Sequence, residues 1–112
     1  MSQTLAIILK FHEDRAGEFE EMFRAEVLPL WEEFLAQGKF FEASLTPIEG
    51  GVPIPKGQRH YILHIEVPGM REHEEFDEHP RFLEFLPRAK ALQPEEPFVW
   101  FGTTLFKVGS EV

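Results

Sequence analysis

The period of the hydrophobic pattern changes along this chain in a definite order, and that order restricts the fold more than any other feature. Steps of two, or short continuous apolar runs, are typical of strands and occupy residues 4–11, 39–46, 60–67 and 98–108. Steps of three and four are typical of helices and fill the stretch between the first two strands and, with one break, residues 71–92. The predicted order is strand, helix, strand, strand, helix, strand.

Both helical patterns contain residues that predict where a helix starts, ends or breaks. Asp14 is the predicted N-terminal cap of the first helix, because a short acidic side chain accepts hydrogen bonds from a first turn. Gly38 is its predicted C-terminal cap. Pro29 lacks a backbone N–H and is expected to bend the helix or begin a new turn. His79-Pro80 predicts a restart in the second pattern.

This order of elements leads to one topology. Right-handed crossovers place both helices on one face of a four-stranded antiparallel sheet, with the first strand between the third and the fourth. The predicted fold class is therefore α+β, a ferredoxin-like βαββαβ sandwich. A length of 112 residues fits a single domain, residues 1–112.

The two faces of the predicted sheet differ in composition. One face is apolar and suits the helices: it carries Leu5, Ile7, Leu9, Phe11, Phe41, Ala43, Leu45, Tyr61, Leu63, Ile65, Val67, Val99, Phe101 and Leu105. The open face mixes polar and apolar groups: Ala6, Ile8, Lys10, His12, Phe40, Glu42, Ser44, Thr46, His60, Ile62, His64, Glu66, Trp100, Thr104 and Phe106. An exposed patch of this kind marks an interface or a ligand site. We expect it to be buried in a homodimer or higher homo-oligomer.

Composition excludes several classes of partner and site. The chain has no Cys, so disulfides, thiolate zinc sites and cysteine nucleophiles are absent. Its net charge of −9 argues against nucleic acid and against anionic membranes. No secretory signal or apolar run of membrane-spanning length is visible, so we expect a cytoplasmic protein. The absence of Asn and the 28% of charged residues are typical of thermophile proteins.

Five histidines are the first candidates for chemistry. His12 and His60 are predicted to meet as cross-strand neighbours, with Glu42 or Lys10 nearby, where they would hold a divalent metal or move protons. The competing interpretation is two solvent-exposed histidines at the rim. His60 and His64 lie roughly 13 Å apart along one strand and cannot share an ion. We expect no tightly bound metal and no cofactor.

The centre of the open face gives the candidate catalytic groups. His64 is the first candidate for proton transfer, with Glu66 and His12 next, and the competing interpretation is a histidine satisfied inside a dimer interface. The candidate ligand-binding residues are Trp100, Phe40, Phe106, His60 and Glu42. Aromatic side chains among them suit an aromatic or lipophilic ligand, or simply core packing. Residues 47–59 form a long Pro- and Gly-rich loop, predicted to cover one end of the sheet as a lid or an arm.

The chain also resembles a known superfamily. Its element order, its length, the kinked first helix ending in LPLWEEFLAQGKF and the last strand, VWFGTTLF, resemble the dimeric α/β-barrel proteins. That superfamily includes antibiotic-biosynthesis monooxygenase-like, EthD-like and stress-responsive barrel proteins. The resemblance implies two sheets packed through their open faces and a small-molecule pocket, and it assigns no role to any residue. It leaves two functions open: a cofactor-independent monooxygenase or isomerase acting on a small aromatic or lipophilic substrate, and a non-enzymatic ligand-binding or structural homodimer.

Overall fold

The sheet has the predicted topology. The computed structural model describes residues 2–109, and its four strands form one antiparallel sheet in the order β2-β3-β1-β4. The strands are β1 (Gln3–His12), β2 (Glu42–Pro47), β3 (Gln58–Val67) and β4 (Phe98–Thr103). The fold is the ferredoxin-like sandwich, with the first strand between the third and the fourth.

The helices pack against one face of this sheet. They are α1 (Ala16–Met22), α2 (Leu28–Ala36), α3 (Met70–Asp77) and α4 (Pro80–Lys90), with a 3-10 turn at Glu13–Arg15 and a π-helical turn at Phe23–Val27. Leu5 of β1 lies opposite Ile65 of β3, and both are buried under the helices. One position along, Ala6 lies between His64 and Trp100 on the open face. The alternation of the strands therefore divides the faces as predicted.

Pro29 interrupts the first helix as expected. A proline has no amide hydrogen to give to the carbonyl four residues back. The chain accommodates this with the π-helical turn, in which the N–H of Leu28 bonds to the carbonyl of Phe23, and α2 then begins with Pro29 in its first turn. Gly38 ends the helix with φ 73°, and the N–H of Lys39 bonds to the carbonyl of Phe34 at 2.8 Å.

Asp14 does not cap the first helix. It lies within the 3-10 turn, whose N-cap is His12, and the N-cap of α1 is Arg15; neither cap makes a side-chain hydrogen bond. The prediction was wrong because the chain leaves β1 directly into the 3-10 turn, two residues earlier than the pattern indicated. A carboxylate in that first turn is still favourable through the helix dipole.

Phe40 lies in the core, not on the open face. Its side chain is 2% exposed and its ring centroid lies 5.2 Å from those of Phe34 and Phe76. The strand alternation assumed from residue 39 begins only at Glu42, because the N–H of Phe40 still bonds to the carbonyl of Phe34 at the helix end. The turn after α2 therefore orients the side chain of Phe40 into the aromatic core.

The last strand is shorter than predicted. β4 ends at Thr103, and Leu105 and Phe106, expected in the strand, are 75% and 92% exposed. The N–H of Thr104 bonds to the carbonyl of Ser2, and beyond that point the chain runs past the end of β1, its pairing partner. Within residues 2–109 no helix is long and apolar enough to cross a bilayer.

Candidate functional site

A cavity of about 330 Å³ lies between the sheet and the helices. Its walls are almost entirely apolar, with aliphatic side chains from β1 and β3 and aromatic side chains from the helices, among them Phe19, Phe23, Phe76, Phe82 and Phe85. This volume falls within the range of small-molecule pockets. The packing of the helices on one face of the sheet thus leaves room for an apolar molecule.

Five polar residues also line this cavity, in two groups: one near Gln3 at the start of β1 and one near His12 at its end. His73 and Asp77 come from α3, Lys90 from the end of α4, and Gln93 and Glu96 from the connection to β4. Val99 of β4 also lines the cavity and is 56% exposed, so the wall beside β4 is open to solvent. On this side His73 contacts Phe101 of β4, so a ligand entering there would meet the His73–Asp77 pair before the apolar interior.

His73 and Asp77 form a hydrogen-bonded chain at this opening. They are four residues apart on α3, so they share a helix face. The Nε2 atom of His73 lies 3.1 Å from Oδ2 of Asp77, and its Nδ1 atom lies 3.1 Å from Oε1 of Gln3 at the start of β1. His73 is buried, with its ring edge against Phe101 at 5.2 Å between centroids. Both ring nitrogens are engaged, which fixes the orientation of the imidazole.

Asp77 is only partly buried, with 54% of its side chain exposed, yet its pKa is raised above that of an isolated aspartate. Burial raises the pKa of Asp77, and the neighbouring carboxylates of Glu78 and Glu74 raise it further. The charge and the hydrogen bond of His73 act in the opposite direction and do not fully offset these effects. Asp77 is therefore a better proton acceptor than an isolated aspartate.

The cavity wall also holds an unsatisfied donor. The Nε1–H group of Trp31 is buried and has no hydrogen-bond partner among residues 2–109, and the indole lines the cavity. A buried donor without a partner costs on the order of 1–3 kcal/mol. An acceptor carried by a ligand is one means of satisfying it.

One end of the open face carries a polar network. Lys10 Nζ lies 3.1 Å from Glu95 Oε1 and 3.4 Å from the centre of the Phe98 ring. Gln58 bonds to Glu95 at 3.2 Å and to His60 Nε2 at 2.8 Å. Burial lowers the pKa of His60, and the charge of Lys10 lowers it further. The charged form of His60 is thus disfavoured within this hydrogen-bonded network.

His12 and His60 do not meet as predicted. The register places His60 opposite Lys10, and His12 opposite Gln58. The predicted pairing of β1 with β3 was displaced by two residues, because β3 begins at Gln58 and not at residue 60. Of the two predicted neighbours, Lys10 is present and Glu42 is not: Glu42 lies opposite Glu66, at the other end of the face. Among residues 2–109 no three His, Asp or Glu side chains converge as a metal site.

The predicted catalytic residues occupy two separate places. His64 Nδ1 lies 3.4 Å from Glu42 Oε1, and Glu66, two residues along, is buried against Ser2 Oγ at 2.8 Å and the ammonium of Lys107. Burial raises the pKa of Glu66, but the hydrogen bonds from Lys107 and Ser2 outweigh it and the pKa is lowered overall. His12 lies about 20 Å from His64, counted along the strand pair. A catalytic role for these residues stays a prediction.

The middle of the open face is apolar and uncovered. Ile62, Phe98 and Trp100 are 41%, 51% and 58% exposed. Trp100 and His64 flank Ala6 from opposite sides, so two strand spacings, about 10 Å, separate them. Phe106, the remaining predicted ligand contact, follows the strand and is exposed. The open face thus forms an apolar centre between two charged ends.

The sequence pattern did not identify His73 and Asp77 as a pair that lines a cavity. His73 and Asp77 have the four-residue spacing of a helix-face pair, and that signal was readable once α3 was predicted. The cavity itself was not readable, because it depends on how closely the helices approach the sheet.

Comparisons with solved structures agree with this architecture. The protein Rv0793 from Mycobacterium tuberculosis superposes with a TM-score of 0.75 at 13% identity, covering 97% of this chain and 100% of that one. An antibiotic biosynthesis monooxygenase gives 0.66 at 14% identity over 94% and 99%. SnoaB, a cofactor-independent oxygenase from Streptomyces nogalater, gives 0.69 at 16% identity over 97% and 98%.

The chain has the fold of the antibiotic-biosynthesis monooxygenase-like proteins. This confirms the fold that the sequence resemblance implied. No protein-family model matches the sequence, and neither does any curated protein. Identities of this size establish the shared fold and not a shared activity.

Proposed function

We propose that this protein is a cofactor-independent oxygenase that acts on a small aromatic or lipophilic substrate held between the sheet and the helices. The observation that carries the proposal is the apolar, aromatic-lined cavity of about 330 Å³, with the His73–Asp77 pair in its wall. Its fold is shared with a protein described as a cofactor-independent oxygenase, which supports the same reading.

The number of electrons that dioxygen accepts restricts the class of substrate. In an oxygenation without an external reductant, dioxygen is the oxidant and all four electrons come from the substrate. Conversion of a methylene to a carbonyl satisfies this: the two C–H bonds break, one oxygen atom forms the carbonyl, and the other leaves as water. Such a methylene needs aromatic or carbonyl neighbours that make its protons acidic, and an apolar cavity with a proton acceptor at its opening suits that chemistry.

The test is dioxygen uptake with anthrone, whose methylene lies between two aromatic rings. We expect the protein to accelerate uptake at one dioxygen per anthrone, with one atom of labelled dioxygen in the product. Leu86→Trp, which fills the cavity, should reduce the rate at least tenfold. Leu83→Trp is the matched control, because Leu83 lies on the same helix, is 50% exposed and does not line the cavity. Equal rates for the two variants would place the reaction elsewhere.

The alternative function is a non-enzymatic homodimer that binds a small ligand, and the exposed apolar centre of the open face favours a dimer in either case. We propose that two copies pack through this face, which Ile62, Phe98 and Trp100 line. Ligand binding to the cavity without dioxygen uptake would select the non-enzymatic alternative.

A further inference from the structure

We propose that Asp77 accepts the acidic proton of an aromatic ligand in the cavity, and that His73 is the positioning residue that holds its carboxylate. The inference rests on the proposed function, because it names the group that meets the substrate in that same cavity. It also restricts the class of ligand to apolar molecules that carry an acidic proton, either on a hydroxyl group or on an enolisable carbon.

The geometry supports Asp77 and not His73 as the group that touches the ligand. Both nitrogens of His73 are engaged, one by Gln3 and one by Oδ2 of Asp77, each at 3.1 Å. Asp77 makes no other side-chain hydrogen bond among residues 2–109, so its second oxygen, Oδ1, stays available as an acceptor. The chain from Gln3 through His73 thus ends in a free carboxylate oxygen at the cavity opening.

The proton balance of the step is simple. The O–H or C–H bond of the ligand breaks, its electron pair stays on the ligand, and a new O–H bond forms on Asp77. Delocalisation into the aromatic rings stabilises the resulting anion, and His73 and Lys90 are the cationic or protonatable groups that share the cavity wall with it. Burial raises the pKa of Asp77, which brings it closer to the pKa of a weak acid and favours the transfer.

The experiment compares two ligands that differ only in the acidic proton: 2-naphthol and 2-methoxynaphthalene, each measured by equilibrium dialysis at pH 7. We expect the wild-type protein to bind naphthol about tenfold more tightly, the size expected of a hydrogen bond to a charged group. Asp77→Asn should abolish that preference and leave methoxynaphthalene binding unchanged. Glu84→Gln is the control, since Glu84 is an exposed carboxylate on α4 that does not line the cavity.

Measuring the naphthol preference at a series of pH values tests whether His73 positions Asp77 or only supports the fold. The charged groups that act on Asp77 are His73, Glu74 and Glu78, all on α3. In the wild-type protein the naphthol preference should be lost as the pH falls through the raised pKa of Asp77. His73→Gln removes a group that lowers this pKa, so the midpoint should move to higher pH. An unchanged midpoint would refute the positioning role of His73.

The outcomes distinguish the inference from the proposed function. Equal affinity for both ligands, or an equal loss of both in Asp77→Asn, overturns the role of Asp77 and leaves the cavity as a binding site. Binding of neither ligand overturns the proposed function and the inference together. The wild-type pH series needs no variant, so the role of Asp77 stays testable if Asp77→Asn fails to fold.

Discussion

At the scale of single residues, the most informative contact is a buried ion pair at one end of the open face. Glu66 is 3% exposed and accepts hydrogen bonds from Lys107 and Ser2. Its carboxylate has left water, so it depends on these partners for stabilisation. Glu66 shows why an alternating strand pattern does not by itself reveal function. The pattern places a carboxylate on the open face, but a carboxylate in that place can serve catalysis or an ion pair equally well.

We predict that Lys107→Met lowers the free energy of unfolding by about 3 kcal/mol at pH 7, because it leaves a buried carboxylate without its counter-ion. The pKa of Glu66 is lowered in the folded protein, so its contribution is fully present above the usual carboxyl pKa of 4.5 and is lost as the pH falls through the lowered value. The difference between variant and wild type should therefore shrink at acid pH. Urea unfolding at a series of pH values measures it.

Lys56→Met is the control for this measurement, because Lys56 lies exposed in the loop between β2 and β3. We expect it to change stability by less than about 0.5 kcal/mol at every pH. A loss in Lys107→Met that is equally small, or that does not depend on pH, would contradict the role given to the ion pair.

At the scale of elements, the loop at residues 48–57 is ordered against the sheet end. The carbonyl of Gly57 accepts a hydrogen bond from the N–H of Glu13 at 2.8 Å, and the N–H of Ile48 bonds to the carbonyl of His60 at 3.0 Å. The loop lies beside His60, as the sequence indicated. Val52 at its centre is 86% exposed, so the predicted lid or arm would make its apolar contact with a partner or a ligand. That role stays a prediction.

We predict that Gly57→Ala lowers the free energy of unfolding by about 1–2 kcal/mol, because Gly57 has φ 84° and an L side chain is strained there. An added methyl group would meet no atom within 4 Å, so only the backbone strain is measured. Gly50→Ala is the matched control: it also has open space, has no positive φ, and should be neutral or slightly stabilising. Equal stability of both variants would mean that the loop is not held in this conformation.

At the scale of the whole molecule, a single chain leaves much apolar surface in water. Ile62, Phe98 and Trp100 are exposed on the open face, and Leu105, Phe106 and Val108 follow β4 without cover among residues 2–109. A stable interface buries about 1,200 Å² or more in total, and apolar patches of this kind mark such interfaces. The charged ends of the open face, with Lys10 and Glu66, would then form its rim or pair across it.

We predict a homodimer of twice the 13.1 kDa chain mass at micromolar concentration. Trp100→Lys places a charge in the centre of the open face and should shift the protein to monomer. Leu83→Lys is the control, because Leu83 is similarly exposed but lies on α4, on the helical side of the molecule. Sedimentation equilibrium measures both. A wild-type protein that sediments only as a 13.1 kDa species would refute the dimer.

The sequence by itself determined the order of elements, the strand order and the division of the sheet into an apolar and a mixed face. These properties depend on local periodicity, turn chemistry and the handedness of connections, all of which are encoded within a few residues. Residue-level placement failed where a strand boundary moved, by three residues at Phe40 and by two in the pairing of His12 with His60, since each shift changes a side chain's face or partner. Only the tertiary structure decided that His73, Asp77 and Gln3 converge at the opening of a cavity. Gln3 lies 70 residues from His73 in sequence, and their contact and the enclosed volume depend on how the helices pack against the sheet.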